Sequence, residues 1–173
     1  MIETTFLMIK PDGIQRKLTG EILRRLENKG LKLVAIKMVR IDPATAAALY
    51  REHRQKPFYQ KLICFIQSSP VLVTAWEGFE AVKLVRKLVG QTDPLAARPG
   101  TIRGDFSLNV TFNVVHASDS RKNAHRELTL FFNPDEIHEY RLTVNRWMNR
   151  DEQGIGGNPP GEKHANYDKQ QNN

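Results

Sequence analysis

Cysteine is almost missing: Cys64 is the single one among 173 residues. One thiol builds neither an intrachain disulfide nor a cysteine zinc cluster, which removes the disulfide-stapled and zinc-ribbon classes. Long apolar runs are missing too. No stretch approaches the roughly 20 residues that a spanning helix requires, so no membrane helix is expected. Met1-Ile2-Glu3-Thr4-Thr5 carries neither a basic n-region nor an apolar h-region. A secretory signal is therefore not expected, and cytoplasmic residence is. Solenoid and propeller periods are absent. Acidic residues are in deficit, 19 against 26 Lys and Arg, for a net charge of +7. The last 23 residues hold two lysines against four acids, so residues 1–150 carry +9. That excess suits nucleotide phosphates, nucleic acid or acidic headgroups without choosing among them.

What remains is an ordinary globular balance, 40% hydrophobic and 26% charged, at a length that suits one domain. A domain is expected over 1–150. The segment from Asp151, Asp-Glu-Gln-Gly-Ile-Gly-Gly-Asn-Pro-Pro-Gly and then mostly polar residues, has little to bury, and 151–173 reads as a flexible tail.

Within the domain, strand-like and helix-like segments alternate. Thr5 to Ile9 is a short apolar run stopped by Pro11-Asp12-Gly13, a strand ending in a turn. Leu18, Ile22 and Leu26 recur every fourth position up to Gly30, an amphipathic helix with a glycine cap. Leu31, Leu33 and Ala35 alternate with polar neighbours as far as Ile41, a strand with one wetter face. Asp42-Pro43 starts a helix running to about His53, and Phe58–Gln67 has helical spacing. Val71 to Trp76 is a compact strand, and Ala81, Val85 and Leu88 mark a helix ending at Gly90. Gln91 to Leu108, with Pro94, Pro99 and Gly100, reads as a long loop of the kind that carries function. Val110–Val115 is the last strand. Ser118-Asp119-Ser120 offers caps for a helix bearing Ala124, Leu128 and Phe131, and Asn133-Pro134-Asp135-Glu136 resembles a capping box opening a C-terminal helix. The order predicts an α+β fold, a ferredoxin-like βαββαβ sandwich whose four-stranded, mainly antiparallel sheet is covered by helices on one face.

Three segments carry chemistry. Lys10-Pro11-Asp12-Gly13 places an ammonium where the chain leaves a strand. Arg86, Thr92, Arg98 and Gly100-Thr101-Ile102-Arg103-Gly104-Asp105-Phe106 gather arginines, a hydroxyl and glycines around the long loop. Asn113-Val114-Val115-His116-Ala117-Ser118-Asp119-Ser120 sets a histidine between a buried strand and a helix start. Guanidinium forks and an ammonium neutralise a polyphosphate, and glycines let backbone approach it. A neutral imidazole facing such cations has a free lone pair with which to attack phosphorus. Taken alone, a strand-end histidine is more often a hydrogen-bonded structural residue. Arg86 beside Lys83 and Lys87 would be a solvated charge face, and Phe58 after Pro57 would be core. Glu127 lies beside the apolar stripe of its helix, where an unpaired carboxylate is costly and an imidazole N–H would relieve it.

Phe6-Leu7-Met8-Ile9-Lys10-Pro11-Asp12-Gly13, Arg98-Pro99-Gly100-Thr101-Ile102-Arg103-Gly104-Asp105-Phe106 and Asn113-Val114-Val115-His116-Ala117-Ser118-Asp119-Ser120 closely resemble nucleoside diphosphate kinases, over about residues 3 to 150. The resemblance implies that His116 is the nucleophile that becomes phosphohistidine, oriented by Glu127, with Ser118 holding that carboxylate. It implies that Lys10, Tyr50, Arg86, Thr92 and Arg103 surround the phosphates and that Asn113, with Lys10, contacts the ribose. Phe58 would stack on the base opposite Val110. It further implies ATP and other nucleoside di- and triphosphates as substrates, Mg²⁺ held mainly by their phosphates, and a homo-oligomer, a hexamer ahead of a tetramer. Ala117 stands where many members have glycine, Ser69-Pro70 where Gly-Pro is frequent, and the polar tail exceeds the usual length. Two rivals stand beside this expectation. An RNA-recognition module would need exposed aromatics on its central strands, where Leu31–Ile41 has none and Val110–Val115 only Phe112, so nucleic acid is not expected as the primary partner. A catalytically silent relative would not need every matched residue.

Overall fold

The computed structural model describes residues 1–143, and the expected tail over 151–173 lies outside the described residues. The elements below fall within one unit, Met1–Arg141. Four strands, β1 (Ile2–Ile9), β2 (Lys32–Val39), β3 (Val71–Phe79) and β4 (Val115–Ala117), form a sheet in the order β2-β3-β1-β4, each neighbouring pair antiparallel. Between and after them come α1 (Pro11–Gln15), α2 (Thr19–Asn28), α3 (Pro43–Leu49), α4 (Tyr59–Gln67), α5 (Ala81–Val89), α6 (Ile102–Phe106) and α7 (Arg121–Phe131). This is the expected ferredoxin-like α+β fold.

Helices cover both faces of the sheet rather than one. Thr5 to Ile9 are all buried, so β1 has no face for water. Phe6 and Met8 point into a core shared with Ala46 and Leu49 of α3, Ile66 of α4 and Leu128 and Phe131 of α7. Leu7 and Ile9 point the other way, onto Ile22 and Leu26 of α2 and Val85 and Val89 of α5. β3 splits with the same parity: Val71, Val73 and Ala75 join the first core, Leu72 and Trp76 the second. Truncating a fully buried aliphatic such as Ile22 or Leu26 to alanine would remove about 2–5 kcal/mol. With both its faces covered, β1 offers no exposed surface on which bases could stack as they do on an RNA-recognition domain.

Several local expectations hold. Gly30, at φ 92°, closes α2, and the Asp42 carboxylate caps α3 by accepting from the Ala44 and Thr45 amides at 2.9 and 3.0 Å. Ser120 caps α7 through the Asn123 amide. Other expectations are corrected. α3 stops at Leu49 and passes into a 3₁₀ turn over Arg51–His53. Pro11-Asp12-Gly13 opens the helical turn α1, the proline supplying its first residue. β2 carries a bulge between Leu33 and Ala35, so Val34 and Ala35 are both buried, and the exposed positions beyond it are Ile36 and Met38. The long loop holds α6, capped by Thr101 Oγ1. The capping box at Asn133 forms, yet it opens only a 3₁₀ turn over Pro134–Glu136. The last strand is not Val110–Val115 but Val115–Ala117. Val114 adopts φ 68°, a left-handed conformation no strand contains, and this kink delays the ladder until Val115.

Candidate active site

The end of β1, the kinked approach to β4 and the helices above them enclose a cleft of about 430 Å³. Ten of the eleven expected site residues line it: Lys10, Tyr50, Phe58, Arg86, Thr92 and Arg103, together with Val110, Asn113, His116 and Glu127. Ser118, the eleventh, is buried just behind, where its hydroxyl donates to Glu127.

Each side chain is positioned by its element. His116 is the middle residue of β4, paired with Met8, so its ring lies on the α7 side of the sheet. Phe6 and Tyr50 flank that ring, with centroids 6.0 and 5.6 Å away, Tyr50 edge-on. Glu127 reaches it from the buried face of α7, its Oε2 2.9 Å from His116 Nε2. The same oxygen accepts from Ser118 Oγ at 2.6 Å, and Oε1 accepts from Arg126 at 3.2 Å. Burial works against the carboxylate's charge, but the His116 contact, the Ser118 hydroxyl and Arg126 outweigh it and hold the Glu127 pKa below the usual carboxylate range. An ionised carboxylate only accepts, so Nε2 carries the proton and, in the neutral imidazole, Nδ1 keeps the lone pair. Nδ1 has no hydrogen-bond partner among the described residues.

The cations are crowded and dry. Lys10 donates to Asn113 Oδ1 at 2.5 Å, and the Asn113 amide donates onward to the Thr92 carbonyl at 3.0 Å. Burial, then repulsion from Arg103, lowers the Lys10 pKa to about 8 against an opposing pull from Asp12. Burial and the neighbouring Arg86 lower Arg103 to about 10. Arg103 is largely committed to carbonyls: those of Asn113 at 3.3 Å, Gly90 at 3.2 Å and Val115 at 2.8 Å. Arg103 thus braces the cleft as well as lining it. The Tyr50 hydroxyl is buried with no partner among the described residues, and burial, then the Glu127 charge, pushes its pKa up. It stays a donor awaiting an acceptor. At the cleft's outer end Phe58 and Val110 are each about half exposed, two apolar surfaces with room for a ring.

Sequence reasoning passed over three contributors. Arg126, next to Glu127 in sequence, turns back to hold its carboxylate and the Ala48 carbonyl. Nothing in the helical period singles it out, because consecutive residues do not share a helix face. Asp119 and Asn123 also line the cleft and bond each other at 2.8 Å. Asp119 sits in the histidine motif but reads there only as a capping candidate.

Fold and cleft together define a class: an α+β phosphotransferase with a cationic cleft sized for a nucleotide. The family model described as nucleoside diphosphate kinase matches residues 3–137. The chain is 53% identical to a nucleoside diphosphate kinase of Archaeoglobus fulgidus over 147 residues, 85% of this chain and 97% of that one. To the enzyme of Bacillus licheniformis it is 48% identical over 147 residues, 85% of this chain and 99% of that one. A solved structure of the halophilic nucleoside diphosphate kinase from Halobacterium salinarum, in complex with CDP, matches with a TM-score of 0.84 at 45% identity, covering 87% of this chain and 100% of that one. The chain belongs to the nucleoside diphosphate kinase family, enzymes that pass the terminal phosphoryl group of a nucleoside triphosphate to a nucleoside diphosphate by way of a phosphohistidine.

Proposed function

We propose that His116 is the phosphoryl carrier of this enzyme, alternately phosphorylated by a nucleoside triphosphate and relieved by a second nucleoside diphosphate. The observation that carries this is the ring's hydrogen bond through Nε2 to Glu127, which in the neutral ring leaves the lone pair on Nδ1, in a cleft lined by Lys10, Arg86 and Arg103. In the forward half-reaction the Nδ1 lone pair forms a bond to the γ-phosphorus. The bond from that phosphorus to the β,γ-bridging oxygen breaks, and its electron pair leaves on the diphosphate. The ring is then cationic, with Nε2–H held by the Glu127 carboxylate. In the return half-reaction a terminal oxygen of the incoming diphosphate takes the phosphoryl group and the lone pair returns to Nδ1. With so little proton transfer to perform, the protein lowers the barrier by alignment and by fixed positive charge around the equatorial oxygens.

Lys10, Arg86, Arg103, Thr92 and the Tyr50 hydroxyl face the phosphates in this proposal, Asn113 with Lys10 holds the ribose, and Phe58 with Val110 brackets the base. Bracketing by π-face and aliphatic surface tolerates every base, because hydrogen bonds to base edges do the discriminating. Mg²⁺ would be held mainly by the nucleotide's own phosphates and would supply charge neutralisation there. The donor chemistry supports this: Glu127 and Asp119, two of the carboxylates lining the cleft, are already engaged by His116 and Asn123, and no group of three or more His, Cys, Asp and Glu able to hold a metal occurs among the described residues. No helix among the described residues is long and apolar enough to cross a membrane. The protein acts in the cytoplasm as a homo-oligomer, a hexamer ahead of a tetramer, with a kinase domain over 1–150 and a polar tail over 151–173. The apolar Ile36 and Met38, exposed on edge strand β2, support self-association.

Incubation with γ-labelled ATP and Mg²⁺ tests the carrier. The label should be acid-labile, alkali-stable and absent from His116→Ala. An acid-stable adduct, or undiminished labelling of His116→Ala, overturns the assignment.

A further inference from the structure

The conformation at Val114 needs an explanation that the phosphate-facing residues do not supply. Val114 is β-branched and fully buried, and it sits two residues before His116 at φ 68°. A β-branched residue there is strained and reverts unless its surroundings hold it. The kink also sets which way His116 points. Side chains alternate along a strand, so a slip of one residue would turn the imidazole into the α2–α5 core.

The holders are identifiable. Lys10 N–H donates to the Val114 carbonyl at 2.8 Å. Arg103 grips the carbonyls on either side, those of Asn113 and Val115. The Val114 N–H has one acceptor, Asp12 Oδ2 at 3.0 Å, from a residue 102 positions earlier in the chain. The approach is close, because a Cβ on Gly13 would lie 3.1 Å from both the Val114 carbonyl oxygen and its Cγ1. The second oxygen of Asp12, Oδ1, is buried with no partner among the described residues, and no salt bridge among them neutralises the carboxylate. An unpaired buried carboxylate oxygen is costly. A residue that merely closed a turn would not need one.

Resting on His116 as the carrier, we infer that Asp12 is a positioning residue for phosphoryl transfer: by holding the Val114 amide it keeps the strained kink that aims His116 Nδ1 into the cleft. Its charge also favours the protonated form of Lys10 from behind, where Arg103 opposes it.

The test is single-turnover phosphorylation by saturating γ-labelled ATP at pH 6.5, below the Lys10 pKa of about 8, with nucleotide affinity measured separately. Asp12→Ala should slow phosphoryl transfer by about 10- to 100-fold, the scale of a misaimed nucleophile, and change affinity by less than about threefold. Asp12→Asn, which keeps an acceptor for the amide, should restore the rate to within about threefold of the wild type. The distinguishing arm uses Val114→Gly, because glycine adopts positive φ unaided. In that background Asp12→Ala should slow transfer by less than about threefold further. Equal slowing in both backgrounds, or Asp12→Asn as slow as Asp12→Ala, overturns the inference. If Asp12→Ala alone does not fold, the double variant decides: it must fold and transfer at the Val114→Gly rate, and failure to do so overturns the inference. These outcomes are separate from the carrier test, since labelling that survives His116→Ala refutes the carrier whatever Asp12 does.

Discussion

Replacing Glu127 by glutamine perturbs the proposed mechanism at its most sensitive point. The carboxylate is 3% exposed and takes three contacts, from the His116 ring, Ser118 and Arg126. Attack by Nδ1 leaves the imidazole cationic, and the Nε2–H bond to Glu127 becomes a bond between two charged groups. Such bonds contribute about 1.5–3 kcal/mol net, against roughly 0.5–1.5 for neutral ones. At about 1.36 kcal/mol per decade, full loss corresponds to about 13- to 160-fold. Phosphoryl transfer passes through a loose transition state in which the new N–P bond has barely formed. Only part of the ring charge has developed there, whereas the phosphohistidine carries all of it. Glu127→Gln should therefore slow phosphorylation by about 10-fold and shift the phosphoenzyme equilibrium toward free enzyme by more, up to about 100-fold.

Quench-flow labelling with γ-labelled ATP, run to completion at several ADP:ATP ratios, reads both quantities in one experiment. Ser118→Ala, which removes a neutral donor to the same oxygen, should give a smaller loss in the same order, equilibrium before rate. Unchanged rate and equilibrium in Glu127→Gln would show that the carboxylate does not feel the ring's charge. A rate loss larger than the equilibrium loss would show that it acts in the transition state alone. Either result refutes a carboxylate that follows the growth of charge on the ring.

Two further outcomes follow from the cleft's electrostatics and shape. Lys10, lowered to about 8, must be protonated to meet a polyphosphate, so kcat/KM should fall above about pH 8, and Lys10→Arg should move that alkaline limb upward; an identical limb in the variant would assign it to another group. The sign for stability is opposite. Between about 8 and the ordinary 10.5 the unfolded chain holds a proton that native Lys10 has shed, so this group makes the fold more stable as pH rises through that window, a gain Lys10→Met should lack in urea unfolding. Phe58→Ala should weaken nucleotide binding by about 5- to 100-fold at nearly constant kcat, the scale of one base–aromatic stack; an unchanged KM would place the base elsewhere.

The architecture was legible where local chemistry and tertiary packing agree. The four-residue recurrence of Ile22 and Leu26, the caps at Asp42 and Ser120 and the glycine after α2 all act over a few residues, and all stand as read. The gathering of the candidate residues was legible because three motifs keep the order that brings β1, α6 and β4 to one cleft. What escaped is long-range. A run of buried residues in β1 does not reveal how many layers cover it, and only the split of alternate residues between two cores does. Val110-Thr111-Phe112-Asn113-Val114-Val115 is strand-like residue by residue, but Asp12 and Lys10, more than a hundred residues earlier, hold the kink at Val114 together with the nearer Arg103. The β2 bulge, which exposes Ile36 and Met38, likewise lies in register with β3 and not in β2's own alternation.

The empty cleft holds more positive charge than it comfortably accommodates, and this bears on why it binds nucleotides at all. Lys10 and Arg103 lie well below their ordinary pKa values, and repulsion from a neighbouring guanidinium, Arg103 for the lysine and Arg86 for the arginine, adds to burial in both cases. For Lys10 a fall from 10.5 to about 8 corresponds to a penalty on the order of 3 kcal/mol against the charged form in the free protein. A polyphosphate placed among these groups offsets the repulsion and supplies acceptors for the unpartnered Tyr50 hydroxyl and the remaining guanidinium donors. In the proposed mechanism the same groups then face the phosphoryl oxygens as the bond to the bridging oxygen lengthens, with no reorganisation left to perform. Strain at Val114 and crowding at Lys10 are thus two forms of one preparation. The folded chain keeps His116 and its cations in an arrangement that is unfavourable when empty and complementary once a triphosphate is transferring its terminal group.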